Sequence, residues 1–97
     1  MTHFLIYTED KEDSLPIRMA NREAHLSWVM NDPKVQLISA GPWLDDDGDM
    51  RGSLLIVSAE TLEIVENWLE QDPYNKAGLT GFKRVRKFNW LLGAPAS

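Results

Sequence analysis

The chain has 97 residues, no cysteine, and a net charge of −5 from 15 acidic and 10 basic side chains. This length predicts a single domain over 1–97, and the lack of cysteine excludes disulfides, thiolate nucleophiles and cysteine-based metal sites. The acidic balance argues against a nucleic-acid partner. No apolar run approaches the roughly 20 residues of a membrane span, and the N-terminus does not resemble a signal peptide. We therefore expect a cytoplasmic protein with no membrane partner.

The first third of the chain predicts a strand followed by an amphipathic helix. Phe4 to Thr8 is a short run of aromatic and β-branched residues, which is typical of a strand. Ser14 is a suitable N-cap and Pro16 is tolerated in a first turn, so we expect a helix from there to about Asn31. Residues at spacings of three, four and four form one apolar stripe on this helix: Ile17, Ala20, Ala24 and Trp28.

A hairpin of two strands is predicted next. Strand two spans Val35 to Trp43 and strand three spans Gly52 to Ser58, and the acidic segment between them contains the turn signal Asp47-Gly48. Strand three includes four consecutive apolar residues, a run typical of a strand buried on both faces. An EF-hand calcium loop here would need carboxylates at the positions of Trp43 and Leu54, so a solvated turn is the better interpretation.

A second helix and a last strand complete the pattern. Ser58 is the expected N-cap of a helix from about Glu60 to Gln71, and the last strand runs from Thr80 to Trp90. An exposed or edge-protecting face is favoured over a phosphate site for the four basic residues of this strand, which are Lys83, Arg84, Arg86 and Lys87. The order β-α-β-β-α-β predicts a ferredoxin-like α+β sandwich, with two helices on one face of an antiparallel sheet.

The sheet face without helices predicts a partner. In a chain of this size, Phe82, Phe88 and Trp90 on that face would form an exposed apolar patch. Identical patches can pair about a two-fold axis, so we expect a homodimer through the open face of the sheet.

The leading site hypothesis pairs His25 with Asp72. Pro73 biases Asp72 away from the α region, so the second helix ends there, where its dipole disfavours a carboxylate. Asp72 continues the spacing of the apolar residues of that helix and is expected to point inward, while His25 lies at the border of the stripe on the first helix. Helices side by side on one sheet face let the two side chains meet, as a pair able to act as general acid or base. The alternatives are a half-buried histidine with a water partner and an ordinary Asp-Pro turn.

Residues of strands two and three could line a ligand pocket near that pair. Gly41 before Pro42 allows close approach of a ligand, or marks a β-bulge. Ser53 could hydrogen-bond a ligand or be an ordinary strand-end hydroxyl, and no Gly-x-Ser-x-Gly elbow surrounds it to make it a nucleophile. Neither histidine has a second ligand at a metal-binding spacing, so we expect no metal ion and no cofactor.

Four segments that together span most of the chain resemble the YCII-related family. They are, in order, Arg22-x-x-His25-Leu26, Ala40-Gly41-Pro42-x-Leu44, Gly52-Ser53 and Asp72-Pro73-Tyr74-x-x-Ala77-Gly78-Leu79. The resemblance implies a ferredoxin-like protomer that pairs through its sheet into a dimeric α+β barrel. It also implies an active-site histidine and aspartate, which fall on His25 and Asp72, with Ser53 as a third pocket residue. A related dehydrochlorinase that acts on a chlorinated hydroxyhydroquinone implies proton-transfer or elimination chemistry.

Two functions from different classes fit these residues. In the first, a lyase-like or hydrolase-like enzyme uses His25, oriented by Asp72, as general acid–base on a small organic molecule, and Arg22 or Tyr74 orients an anionic or phenolic group. In the second, a non-catalytic dimer binds a small ligand or serves as an accessory module, and the His–Asp pair is structural. A heme- or oxygen-handling monooxygenase with His25 as axial ligand is a third hypothesis, but acid–base chemistry explains the aspartate better.

Overall fold

The chain folds as an antiparallel four-stranded sheet with helices on one face, in a computed structural model that describes residues 1–95. The strands lie in the order β2-β3-β1-β4, which confirms the predicted ferredoxin-like α+β fold. The elements are β1 (Thr2–Asp10), α1 (Leu15–Val29), β2 (Gln36–Leu44), β3 (Met50–Ala59), α2 (Leu62–Glu70), α3 (Pro73–Lys76) and β4 (Thr80–Lys87).

The second half of the chain differs from the sequence prediction at two element ends and by one additional helix. Helix α2 begins after Thr61, whose side chain accepts a hydrogen bond from the Ile64 N–H, so Thr61 and not Ser58 is the N-cap. The chain then forms the separate four-residue helix α3, which the sequence did not predict. Strand β4 ends at Lys87, before the predicted end at Trp90.

The core lies between the helices and alternate residues of the two central strands. In the register of β1 with β3, Phe4 pairs with Val57 and Ile6 with Leu55, and all four are buried. Because side chains alternate across a strand, this set lies on one sheet face, where it packs with Val65 and other apolar residues of the helices. Strand β3 lies between β2 and β1, but Leu54 on its other face is 42% exposed, so the predicted burial on both faces is not found in the single chain.

Helix α1 is rotated by about a third of a turn from the predicted orientation. Its buried residues are Arg18, His25 and Val29, while Ile17 and the two alanines of the predicted stripe are exposed. Trp28, the fourth residue of the stripe, is partly buried and packs against the core, so the prediction is wrong for three of the four residues. Carboxylates elsewhere in the chain satisfy the two buried polar side chains of α1. Their positions seven residues apart place them on the same side of the helix.

The open sheet face carries apolar and aromatic side chains. Leu5 and Ile56 are neighbours across β1 and β3, and Tyr7 stacks on Trp43 with ring centroids 5.8 Å apart. Phe82 lies within 6.3 Å of the Tyr7 ring and is exposed, as predicted. The other two predicted members of this patch, Phe88 and Trp90, follow the end of β4, and the Trp90 ring meets His3 edge-on.

Candidate active site

A cavity of about 340 Å³ opens between α1 and the edge strand β2. Its apolar wall is formed by residues from three elements: Leu26, Val29, Met30, Leu37 and Leu55. Its polar lining consists mainly of side chains from α1, β3 and α3: Arg18, Arg22, His25, Ser53 and Tyr74. Gly41 and Pro42 line it from β2, so six of the seven residues predicted for the site border one cavity, and the seventh, Asp72, contacts His25.

The His25 imidazole is held by the Asp72 carboxylate. His25 Nδ1 lies 2.9 Å from Asp72 Oδ1, and the side chains are only 8% and 13% exposed. An ionised carboxylate can only accept a hydrogen bond, so Nδ1 carries the proton and donates it. This leaves Nε2 as the ring nitrogen with a lone pair, and Nε2 makes no hydrogen bond within residues 1–95.

Asp72 reaches this position by a different route from the one predicted. It does not continue the inward side of α2, which ends at Glu70, but forms the N-cap of α3. Its Oδ1 accepts a second hydrogen bond from the Tyr74 N–H at 2.9 Å. An aspartate is among the preferred N-cap residues, and Pro73 in the first turn suits a helix start. The carboxylate thus stands at a helix end that favours negative charge, rather than at one that opposes it.

The Tyr74 ring is packed against the imidazole. The two rings stack with centroids 4.0 Å apart and an interplanar angle of 10°. Burial raises the pKa of the Tyr74 phenol, and the nearby charge of Asp72 raises it further, while Arg18 and Arg22 oppose these effects. Tyr74 is therefore a neutral phenol at physiological pH, and its ring fixes the plane of the imidazole.

Arg18 is a buried polar residue of the cavity that the sequence-based site prediction did not include. Its guanidinium donates from Nε and Nη2 to the Asp10 carboxylate at 2.7 and 3.0 Å, and again from Nη2 to Ser53 Oγ at 2.9 Å. Burial alone would lower the pKa of Arg18, but the hydrogen bond and charge of Asp10 raise it above its ordinary value. The available signal was the seven-residue spacing of Arg18 and His25, which places both on one side of α1.

Arg22 is the second cation of the cavity and differs from Arg18 in exposure. It lies one turn along α1, borders the cavity and is exposed to solvent. Within residues 1–95 it has no carboxylate close enough for an ion pair. The cavity therefore has one neutralised buried cation and one exposed cation.

No group of three or more His, Cys, Asp or Glu side chains in 1–95 is arranged to hold a metal ion. No helix in the same range has the length and apolar character that crossing a membrane requires.

Fold and site together define a ferredoxin-like α+β protein with a histidine–carboxylate pair on the wall of a small cavity. The chain belongs to the YCII-related family, whose domain model matches residues 2–89. The resemblance drawn from the four sequence segments is confirmed. Protein YciI of Escherichia coli O6:H1 is 34% identical over 93 residues, which cover 88% of this chain and 94% of that protein. An uncharacterized protein of Haemophilus influenzae is 31% identical, over 89% of this chain and 95% of that protein.

Solved structures extend the comparison. The 5-chloro-2-hydroxyhydroquinone dehydrochlorinase TftG of Burkholderia phenoliruptrix AC1100, in complex with 2,5-dihydroxybenzoquinone, is 36% identical, with a TM-score of 0.78 over 90% of this chain and 93% of that one. A NIPSNAP domain protein of Burkholderia xenovorans has a TM-score of 0.56 at 12% identity over 99% of this chain and all of that one, which shows a shared fold alone.

Proposed function

We propose that this protein is a small-molecule enzyme in which His25 acts as general acid–base and Asp72 orients it, with chemistry of the dehydrochlorinase or lyase type. The observation that carries the proposal is the 2.9 Å contact between His25 Nδ1 and Asp72 Oδ1 beside the cavity. It leaves His25 Nε2 to exchange a proton with a bound molecule, and Asp72 stabilises the imidazolium that results. The stack with Tyr74 limits rotation of the imidazole, so Nε2 keeps one direction.

The cavity suits a flat molecule with an apolar ring and acidic oxygens. A volume of about 340 Å³ is near the lower end of small-molecule sites, and the lining combines apolar side chains with hydrogen-bonding groups. A hydroxylated aromatic or quinonoid ring meets both requirements, and the related dehydrochlorinase is named for such a compound. Gly41 and Pro42 would contact the ring from β2, and Arg22 would attract an anionic substituent at the surface.

The proposed chemistry on a chlorinated hydroxyhydroquinone is a net loss of HCl. His25 Nε2 takes a ring hydroxyl proton and delivers it to the carbon that bears chlorine, while the oxygen electrons form a carbonyl group. Loss of a second hydroxyl proton then expels chloride with the C–Cl bonding electrons, and the product is a quinone. Both transfers are proton transfers, so the step needs no external oxidant, and a histidine suits it because it can accept and donate at neutral pH.

Chloride release from 5-chloro-2-hydroxyhydroquinone tests this function. We expect the parent to release chloride and His25→Asn to be slower by roughly 100- to 10,000-fold, the usual contribution of a general acid–base. His3→Asn is the matched control, because His3 lies outside the cavity lining, and it should keep the parent rate. A folded His25→Asn variant that releases chloride as fast as the parent would refute the proposed role.

One observation favours the non-catalytic alternative. His25 is only 7% exposed and is packed between Tyr74 and Trp28, as a structural histidine would be. The two functions are separated by NMR titration of the His25 imidazole. In the binding module the titration is unaffected by quinonoid ligands, whereas in the enzyme a ligand in contact with Nε2 shifts it.

We further propose a homodimer through the open sheet face, paired as an α+β barrel. Leu54 and Phe82 on that face are 42% and 41% exposed, and they adjoin the partly buried Leu5, Tyr7 and Ile56. Light scattering should give twice the chain mass for the parent and the chain mass for Leu54→Asp. Leu62→Asp is the matched control, because this leucine is 38% exposed on α2 at the other face. A parent that is monomeric at high concentration would refute the dimer. The cytoplasmic location stays a prediction from the sequence.

A further inference from the structure

We propose that the ligand of the cavity is a hydroxylated ring with an extended apolar substituent, and that Leu26, Met30 and Leu37 form the subsite for this substituent. The inference rests on the proposed function and deepens it, because it narrows the ligand from a single ring to an alkyl-substituted ring. The cavity is longer than one ring, and its charged side chains lie toward one end.

The long axis of the cavity runs along α1 and, in the opposite chain direction, along β2. At one end, Ser53 pairs with Pro42 in the sheet and accepts a hydrogen bond from Arg18. At the other end, Met30 and Leu37 border the same surface concavity. The two ends are twelve residues apart on α1 and five apart on β2, which correspond to about 18 Å of helix and about 17 Å of strand. Both walls therefore give a length of about three helical turns.

The charged and titratable side chains that α1 contributes occupy only part of this length. They extend from Arg18 to His25, which is about 10.5 Å along the helix axis. A single hydroxylated ring is only about as long as one helical turn of roughly 5.4 Å, so a ring bound on this side of His25 does not reach the other end. Over the remaining distance of about 7.5 Å, α1 contributes only apolar side chains to the lining: Leu26, Val29 and Met30.

The apolar end of the cavity exposes two large side chains to solvent. Leu26 is 47% exposed and Met30 is 70% exposed, and their spacing of four residues makes them neighbours on the surface of α1. Both border the cavity beside the buried Val29 and Leu55. Adjoining exposed apolar side chains at a cavity are typical of a ligand-binding surface. A bound alkyl group would cover them and remove apolar surface from water.

The apolar end continues into a second concavity. Met30 and Leu37 border both spaces, and the second one, of about 400 Å³, lies at the connection between α1 and β2 beside Pro33 and Val35. A substituent that passes between Met30 and Leu37 can therefore extend beyond the first cavity. The unbranched thioether side chain of Met30 adapts its shape to such a group. An alkyl chain, which is apolar and flexible, matches this path.

Binding of a homologous series tests the subsite without requiring turnover. The probes are 2,5-dihydroxybenzoquinone and its derivatives with a methyl, butyl or hexyl group on a ring carbon, measured by calorimetry at one pH. We expect each buried methylene to tighten binding about three- to fourfold, so the butyl compound should bind roughly 30- to 60-fold more tightly than the methyl compound. Met30→Gln should reduce this gain to less than about tenfold, because it places an amide beside the alkyl chain. Met19→Gln is the matched control and should keep the full gain, because Met19 is 51% exposed on the same helix but does not border the cavity.

Equal or falling affinity along the series would overturn the subsite and leave the proposed function standing. If the parent binds none of the quinones, the proposed function fails, and hexanol is then the probe for the apolar end alone. The methyl NMR signal of Met30, identified by its loss in Met30→Gln, should shift with hexanol while that of Met19 does not. A Met30 signal that does not respond to hexanol overturns the subsite. A signal that responds only to dilution of the protein also overturns it, because a second copy of the chain would then cover this end.

Discussion

Replacing Asp72 separates two roles that one oxygen atom combines. Asp72 Oδ1 accepts from His25 Nδ1 and from the Tyr74 N–H, both at 2.9 Å. Asp72→Ala removes both hydrogen bonds. Asp72→Asn keeps an oxygen acceptor for each of them, and asparagine is as good an N-cap as aspartate, but the negative charge is lost.

The cost of each variant follows from these contacts. Loss of an N-cap costs about 0.5–2 kcal/mol of folding free energy, and a buried imidazole N–H left without an acceptor costs about 1–3 kcal/mol. We therefore expect Asp72→Ala to destabilise the fold by about 2–4 kcal/mol and Asp72→Asn by less than about 1 kcal/mol. The loss of stability expected for Asp72→Ala corresponds to a fall in melting temperature of at least about 8 °C for a domain of this size.

Urea denaturation followed by circular dichroism measures both values, at one protein concentration so that any dimerisation affects all samples equally. Chloride release should not distinguish the two Asp72 variants, although their stabilities differ. We expect both variants to be slow, because neither can stabilise the imidazolium by charge. Equal free energies of unfolding for Asp72→Ala and Asp72→Asn would refute the capping argument, and a fast Asp72→Asn enzyme would refute the electrostatic one.

Four further variants test the packing and the charges. A Cβ at Gly52 would overlap Thr8 O and the Trp43 indole, which are hydrogen-bonded to each other, so Gly52→Ala should cost about 2–4 kcal/mol of stability in denaturant titrations. Gly41→Ala, with open space at its Cβ, should change stability by less than about 1 kcal/mol. Because burial raises the pKa of Tyr74, stability from this group is present below about pH 10 and is lost as the pH rises further, so Tyr74→Phe should flatten the alkaline limb of the stability curve. The hydrogen bond from the Arg51 side chain lowers the pKa of Asp45, so the contribution of the Asp45 carboxylate to stability is present at neutral pH and is lost below about pH 4. The free energies of unfolding of Asp45→Asn and the parent should therefore become equal in that acid range. The free energy of unfolding measured across alkaline and acid pH checks the direction of both changes.

The order of strands and helices could be predicted from sequence because local patterns determine it. Alternating and continuous apolar runs mark the strands, and Asp47-Gly48 marks the hairpin turn between β2 and β3. The four-residue helix α3 is too short to give a periodic signal. The inward side of α1 could not be predicted, since its buried polar groups are satisfied by carboxylates distant in the sequence, Asp10 for Arg18 and Asp72 for His25.

The candidate site could be predicted only in part, because contacts between residues distant in the sequence determine its geometry. The contact of His25 with Asp72 was anticipated, but from a helix geometry that the structure does not have, since Asp72 caps α3 instead of extending α2. Arg18 was missed because a cation on an apolar-looking helix is ordinarily assigned to the exposed side. Only the tertiary pairing with Asp10 makes its burial favourable.

The central claim is that Asp72 sets the tautomer of His25 and leaves Nε2 as the proton acceptor facing the cavity. ¹⁵N NMR of imidazole-labelled protein, measured above the titration of His25, tests it most directly. The geometry predicts a proton on Nδ1 and a bare Nε2, whose shift moves when 2,5-dihydroxybenzoquinone is added. A proton on Nε2, or a bare Nε2 that is unaffected by every quinone that binds in the cavity, would contradict the claim.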